Sequence, residues 1–402
     1  MRLSELPRDE LRVIMSTLRD MRTPLLELTL TCKTLYEAGM EVLVRSVLID
    51  TPSAEVIRGF AGLMTRRPDL ASLVKNLIIH EAHLEEGQSD AHGSQDFYYA
   101  VGLLAVAVTR MESLQGVTLG QFDTPGYPSA DVRVHDAISG SSSISSIRLS
   151  GRGEKSDVWY DFIRKVKSPI SDLSITGISG TLSSNLNIPR ILGKFSASLR
   201  TVRLTSPQIR DDLGNATAVL PFARTLVIIF GLVRTDILLR AFPDLENLTV
   251  RTGALSVSVR HLNLNCSRKF WKKLSLLDVD LAGYEGLFSP PCRVTHLRIY
   301  DWIYSDYVLS ALSMIHNLKP ILLSITVLQG TTISLLQHIS DAVDKILVLN
   351  LVILPSDHPA SLAQFLVHAR FYYESLCDYL QRQSLIGRPC KRSLAARLCA
   401  VP

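Results

Sequence analysis

The chain has 402 residues, 47% of them hydrophobic and 20% charged, with a formal net charge of +5 at neutral pH. That balance excludes a disordered chain and supplies enough apolar material for a large buried core. The small net charge, with no long basic run to track a phosphate backbone, argues against a nucleic-acid partner.

The six cysteines (Cys32, Cys266, Cys292, Cys377, Cys390 and Cys399) are scattered, with no C-x-x-C pair. This spacing reads as a reduced protein of the cytoplasm or nucleus rather than a disulfide framework. The first residues, MRLSELPRDELR, are too polar for a signal peptide. The longest apolar runs, 225–233 (TLVIIFGLV) and 346–354 (ILVLNLVIL), reach about half the length of a membrane span. They read as buried strands, and no membrane partner is expected. Sequons at Asn215, Asn247 and Asn265 carry no weight without other signs of secretion.

Residues 1–46 read as a three-helix domain. After Leu6-Pro7, the apolar residues Leu11, Ile14, Met15 and Leu18 fall at the spacing of one helix face. A second helix is predicted from near Pro24, a good first-turn residue, through Leu25, Leu26, Leu28 and Leu30. A third contains Leu35, Ala38, Met40, Val42 and Leu43. Three such short helices cannot hide all of this apolar surface, so a leftover face must pack on the rest of the chain or on another protein.

Leu6-Pro7, Glu10-Leu11, Ile14, Leu18, then Thr31-Cys32-Lys33 with Leu35, resemble the F-box motif in order and distance. That motif opens with Leu-Pro, continues with Glu-Leu and Ile at helical spacing, and reaches a Cys/Ser-Lys turn before its last helix. Leu35 stands where the family often carries an aromatic. The resemblance covers about a tenth of the chain. It implies docking on the Skp-type adaptor of a cullin-RING ubiquitin ligase through Leu6, Pro7, Leu11, Ile14 and Leu18, with Lys33 and Leu35 close by. Read from the residues alone, the same helices serve as a cap closing the first repeat of a solenoid.

Past residue 47 an apolar triplet recurs, with two and then one variable residue between its members. It appears as Val74/Leu77/Ile79, Leu114/Val117/Leu119, Ile144/Ile147/Leu149, Ile170/Leu173/Ile175 and Leu199/Val202/Leu204. It continues as Leu245/Leu248/Val250, Val259/Leu262/Leu264, Leu274/Leu277/Val279, Val294/Leu297/Ile299, Leu322/Ile325/Val327 and Ile346/Leu349/Leu351. A period mostly of roughly 20–30 residues is that of leucine-rich repeats. Helix-like stretches at 96–110, 156–166, 305–317 and 331–343 lie between, with Ser156, Ser305 and Thr331 as N-cap residues.

The fold class expected is therefore α/β: a short all-α N-terminal domain, then an irregular leucine-rich-repeat-like βα solenoid, a horseshoe, over 47–356. Residues 357–402 supply a capping helix over 359–383 and a basic, mobile tail. The repeats resemble those of large fungal F-box collections. Where leucine-rich repeats usually carry a turn asparagine or cysteine, this chain has Ala82, Phe122, Arg152, Ile178, Pro207, Gly253, Ala282 and Trp302. Without an asparagine ladder the array should be irregular. An ordinary α/β domain with a parallel sheet is the competing reading.

No phosphate-binding loop, dinucleotide fingerprint or nucleophile elbow occurs, so no catalytic residue and no cofactor is assigned. His80 and His83 stand three apart and lead into a polar loop with Asp90 and His92, which reads as a solvated loop rather than a metal site. In a βα solenoid the residue between the last two strand leucines faces the concave side. Those positions are Thr118, Arg148, Ser174, Arg203, Thr249, Asn263, Asp278, Arg298, Thr326 and Asn350. Arg148, Arg203 and Arg298, with Arg251 beside them, are the candidates for a basic stripe that binds an acidic or phosphorylated target.

The function expected is a non-enzymatic substrate receptor that holds an adaptor, and through it a cullin, at one end and an unknown target protein along the array. A binding scaffold whose first helices are only a cap, and a hydrolase with an unrecognised site, are the alternatives.

Overall fold

The computed structural model describes residues 3, 6–18, 21–50, 53–80, 91–120, 129–150, 156–176, 192–205, 219–229, 235–251, 271, 273–281, 293–303, 308–328, 346, 348–354 and 397–400. The chain forms two compact units, Met1–Arg203 and Leu204–Pro402.

The first unit opens with three helices, α1 (Arg8–Thr17), α2 (Arg22–Thr29) and α3 (Lys33–Leu43). Asp9 and Glu10 lie in the first turn of α1, where a carboxylate suits the positive end of the helix dipole. The apolar stripes converge: Leu11, Met15, Leu25, Leu35, Ala38 and Val42 form one buried cluster. Helices α2 and α3 approach closely at Gly39, where an added Cβ would stand 2.0 Å from the Thr29 hydroxyl oxygen. Thr29 is itself buried, and its hydroxyl donates to the Leu25 carbonyl at 2.6 Å. Arg12 ties α1 to α3, its Nε donating to Glu41 Oε2 at 2.7 Å.

Strand β1 (Ser46–Ile49) follows directly, then α4 (Ala54–Arg66), α5 (Pro68–Ala71), β2 (Asn76–Ile79), α6 (Ala91–Thr109) and β3 (Gly116–Leu119). The unit continues with α7 (Ser129–Gly140), β4 (Ser146–Ser150), α8 (Ser156–Lys165), β5 (Asp172–Thr176) and β6 (Thr201–Thr205), which begins in it. Strands β1 to β5 pair in chain order, every pair parallel. Helix α4 packs on α6, α6 on α7 and α7 on α8. Each strand therefore buries one face under its helix and shows the other, which is how βα repeats stack.

The triplets are what the stacking hides. All fifteen residues of the five triplets from Val74/Leu77/Ile79 to Leu199/Val202/Leu204 are at most 4% exposed. The residues between them carry the opposite face.

The turns are satisfied without asparagine. The carbonyl just before each strand accepts two successive amides of the next repeat. Arg45 takes Lys75 and Asn76, Lys75 takes Gln115 and Gly116, Gln115 takes Ser145 and Ser146, Ser145 takes Ser171 and Asp172, and Ser171 takes Arg200 and Thr201. Serine hydroxyls add a second row: Ser143 donates to the Leu114 carbonyl at 2.8 Å, Ser168 to that of Ser141, and Ser198 to that of Ile170 at 2.7 Å. These bonds do the work for which other repeats use an asparagine ladder.

In the second unit β7 (Thr225–Ile229), β8 (Asn247–Arg251), β9 (Lys273–Val279), β10 (Arg293–Ile303), β11 (Leu322–Leu328), β12 (Val348–Leu354) and β13 (Arg397–Ala400) again pair parallel in chain order. Helices cover Thr235–Ala241 and Val308–Leu318. Strand β10 carries a register shift between Ile299 and Trp302. In neither unit does the strand order reverse as it would in a doubly wound domain.

Several expectations change. The triplet Leu322/Ile325/Val327 is out of phase: Leu297 pairs with Leu323 and Ile299 with Ile325. Leu323 and Ile325 are the buried members, and the first position falls on buried Pro320, which hid the pattern. The open-face residue between the two buried members of β11 is therefore Ser324. Arg397–Ala400, expected in a mobile tail, pairs with β12. Strand β1 and helices α4 and α7 were not anticipated, nor was Ser53, whose hydroxyl caps α4 by accepting from the Val56 amide at 3.2 Å. The triplet Val259/Leu262/Leu264, the helices expected at 331–343 and 359–383, and the caps Ser305 and Thr331 lie outside the described residues. No helix among the described residues is long and apolar enough to cross a membrane.

Candidate functional site

The helical module shows which of the adaptor candidates a partner can reach. Leu11 and Leu35 are buried in the module's own core, so they hold the helices together and touch no partner in this fold. Leu6 and Leu18 are half-buried against the same core, Ile14 is half-buried, and Pro7 and Lys33 are exposed. The apolar side chains left in water are others: Val13 (63% exposed), Leu30 (68%), Met21 and Leu26. Leu26 and Leu30 are four apart and share a face at the end of α2. The sequence carried the signal, since α2 is apolar on too many sides for one core, but the stripe of α1 drew attention to the buried residues.

In the first unit the open strand face carries Arg148 on β4 and Arg203 on β6, both exposed between buried neighbours. Register pairing aligns Leu48, Ile78, Thr118, Arg148 and Ser174 across β1 to β5. The Ser171 carbonyl takes Arg200 and Thr201 as the Ser145 carbonyl takes Ser171 and Asp172, and Asp172 pairs with Ser146. The repeated pattern sets Arg203 opposite Ser174. Thr118, Arg148, Ser174 and Arg203 have no side-chain hydrogen bond or ion pair with any other described residue.

The second unit treats its two arginines differently. Arg251 donates from Nη2 to Asp278 Oδ2 at 3.0 Å, and its guanidinium lies 3.7 Å from the centre of the Tyr300 ring. Asp278 is 5% exposed, and its Oδ1, like Arg251 Nε, has no hydrogen-bond partner among the described residues. A buried polar atom left so costs about 1–3 kcal/mol. Arg298 is exposed and in register with Asp278 and Ser324. His296 Nε2 lies 2.9 Å from Ser324 Oγ, and burial, helped by Arg298, holds its pKa below the ordinary value against the pull of Asp278. This face is a mixed polar network and not part of a basic stripe: Asp278 neutralises Arg251.

No group of three or more metal-ligating side chains comes together among the described residues. His80, set aside above as a metal ligand, has Nδ1 2.6 Å from Asp50 Oδ1. His83 and Asp90 lie outside the described residues.

No protein-family model matches this chain. No curated protein matches it either. Among solved structures it is similar to a chain of the crystal structure of the Rad7 and Elc1 complex in yeast, with a TM-score of 0.36 and 10% identity over 86% of this chain and 89% of that one. The functional reading rests on the residues described above.

Proposed function

We propose that this chain is a substrate-receptor subunit of a cullin-RING ubiquitin ligase, in which the N-terminal helices dock a Skp-type adaptor and the strand–helix repeats hold a target protein. The observation that carries this reading is a helical module that completes its own core and still leaves Val13, Met21, Leu26 and Leu30 in water. Burying one such side chain against a partner contributes about 1.5–3 kcal/mol. The resemblance of residues 6–35 to the F-box motif names the partner class. The protein performs no chemistry itself; it raises the local concentration of a target beside a charged ubiquitin carrier.

A second reading, a protein-binding scaffold whose helices only cap the sheet, is favoured by one feature: α3 runs into β1 with two residues between them. Adaptor binding separates the two. The full chain should bind a purified Skp-type adaptor, and Val13→Glu/Leu26→Glu/Leu30→Glu should weaken that binding at least about a hundredfold while leaving the melting profile intact. Equal binding by the variant, or none by the folded wild type, would remove the receptor reading.

A further inference from the structure

We infer that the outward face of helix α6 is a self-association surface, on which a second copy of this chain docks with its own α6 antiparallel. The inference stands apart from the adaptor reading, because this face belongs to the repeats and not to α1–α3.

Helix α6 is apolar on two sides. Phe97, Val101, Leu104 and Val108 are buried on the inner one. On the outer one Asp96, Tyr99, Leu103, Val106 and Arg110 follow at alternating steps of three and four, the spacing of a seam between paired helices. Tyr99 is 61% exposed and Val106 47%, with Leu103 half-buried between them. One apolar stripe suffices to pack a helix on its sheet, so the second is surplus to the fold.

The flanking helices widen the stripe. On α4, Val56 and Gly59 are exposed, and a Cβ added at Gly59 would meet no heavy atom within 4 Å. On α7, Val132 is exposed, while Arg133 lies across α6 at Gly102, where an added Cβ would stand 2.8 Å from its Nη1. The Arg133 guanidinium sits 4.4 Å from the centre of the Tyr98 ring. Tyr98 is thereby half-buried, and Tyr99 is the aromatic left in water.

Charge decides what covers this face. At its start, Glu55 and the Asp96 carboxylate are exposed, with Arg58 3.4 Å from Asp96. At its end, Arg110 donates to the Thr65 carbonyl at 2.6 Å and Arg66 to that of Gly62 at 3.2 Å, and neither has an ion pair among the described residues. One end is therefore acidic on balance and the other basic. A lipid surface or an acidic partner would call for cations at both ends. The matching surface carries the opposite order, and an inverted second copy supplies it.

The geometry suits a two-fold axis. Leu103 stands seven residues from both Asp96 and Arg110, so inversion about it brings each Asp96 to the other copy's Arg110. The seam is about 21 Å long. Three helices spaced about 9 Å apart give a face of about 600 Å² on each copy, at the lower end of specific interfaces. Association should accordingly be reversible.

The test is sedimentation velocity of the full chain without adaptor. Wild type should pass from monomer to dimer between about 10 and 100 µM. Leu103→Glu, Asp96→Arg and Arg110→Asp should each stay monomeric over that range, and Asp96→Arg/Arg110→Asp should dimerise again because the pairing is restored with its sign reversed. Thermal melts show whether the variants fold. A monomeric wild type, dimers that survive in folded Leu103→Glu, or no recovery in the folded double variant would each overturn the inference. So would a monomeric chain that floats with phosphatidylserine vesicles, since the face would then belong to a membrane. Adaptor capture by Leu103→Glu should match wild type, so failure of one reading leaves the other standing.

Discussion

His135 shows what burial does to a single titratable side chain. Its ring is 4% exposed, with its centroid 4.7 Å from that of Phe162 and 5.3 Å from that of Trp159. Burial, with a small contribution from Lys165 and against the pull of Asp136, lowers its pKa from 6.5 to about 4. The unfolded chain takes up this proton below about pH 6.5, while the folded chain resists it until about pH 4. Stability from this residue is therefore complete above the first value and is lost as pH falls towards the second, by about 3 kcal/mol in total. His135→Leu should flatten the fall in melting temperature between pH 7 and pH 4; an unchanged slope would mean that the ring is hydrated in solution. Nothing in the sequence marked His135 as a core residue, because the serine- and glycine-rich stretch after it reads as a loop. Gly39 was equally silent. Only the packing of α3 on Thr29 reveals why no side chain fits there.

For the strands, alternation is the organising fact, and it was legible because period two and the triplet spacing agree. Ile147 and Arg148 are neighbours in β4, one 1% exposed and the other on the open face. Ile147→Ala should cost about 2–5 kcal/mol in denaturant unfolding, and Arg148→Ala under about 0.5 kcal/mol. Comparable losses at both positions would mean that the strand is held differently. The pattern failed where chemistry disguised it: at β11, whose first core position is Pro320, and at β1, a strand of four residues whose Leu48 is half in water. The serine row at the turns was illegible because serine elsewhere in the chain marks loops. Here Ser143, Ser168 and Ser198 each bond a carbonyl of the preceding repeat, which takes the stacked neighbours to reveal.

At the scale of the whole molecule, residues 1–203 combine a helical module with exposed apolar side chains and a strand face with two arginines that have no ion pair among the described residues. The sequence grouped four arginines as one stripe; they divide between the units, Arg148 and Arg203 in the first, Arg251 and Arg298 in the second, and Arg251 is neutralised. Three helices lie over residues 8–43, where the apolar spacing put them, but the motif singled out Leu11 and Leu35, which stand on the inward stripes. The outward residues of α2 stand off that stripe, and the account depends on them.

The central claim, that the helices and not the strand face hold the adaptor, is tested most directly by amide hydrogen exchange of the full chain with and without a Skp-type adaptor. The account predicts slower exchange confined to residues 6–43, strongest in α2. Protection on β3 to β6 with none in α1–α3, or no protection under conditions where the two proteins bind, would contradict it.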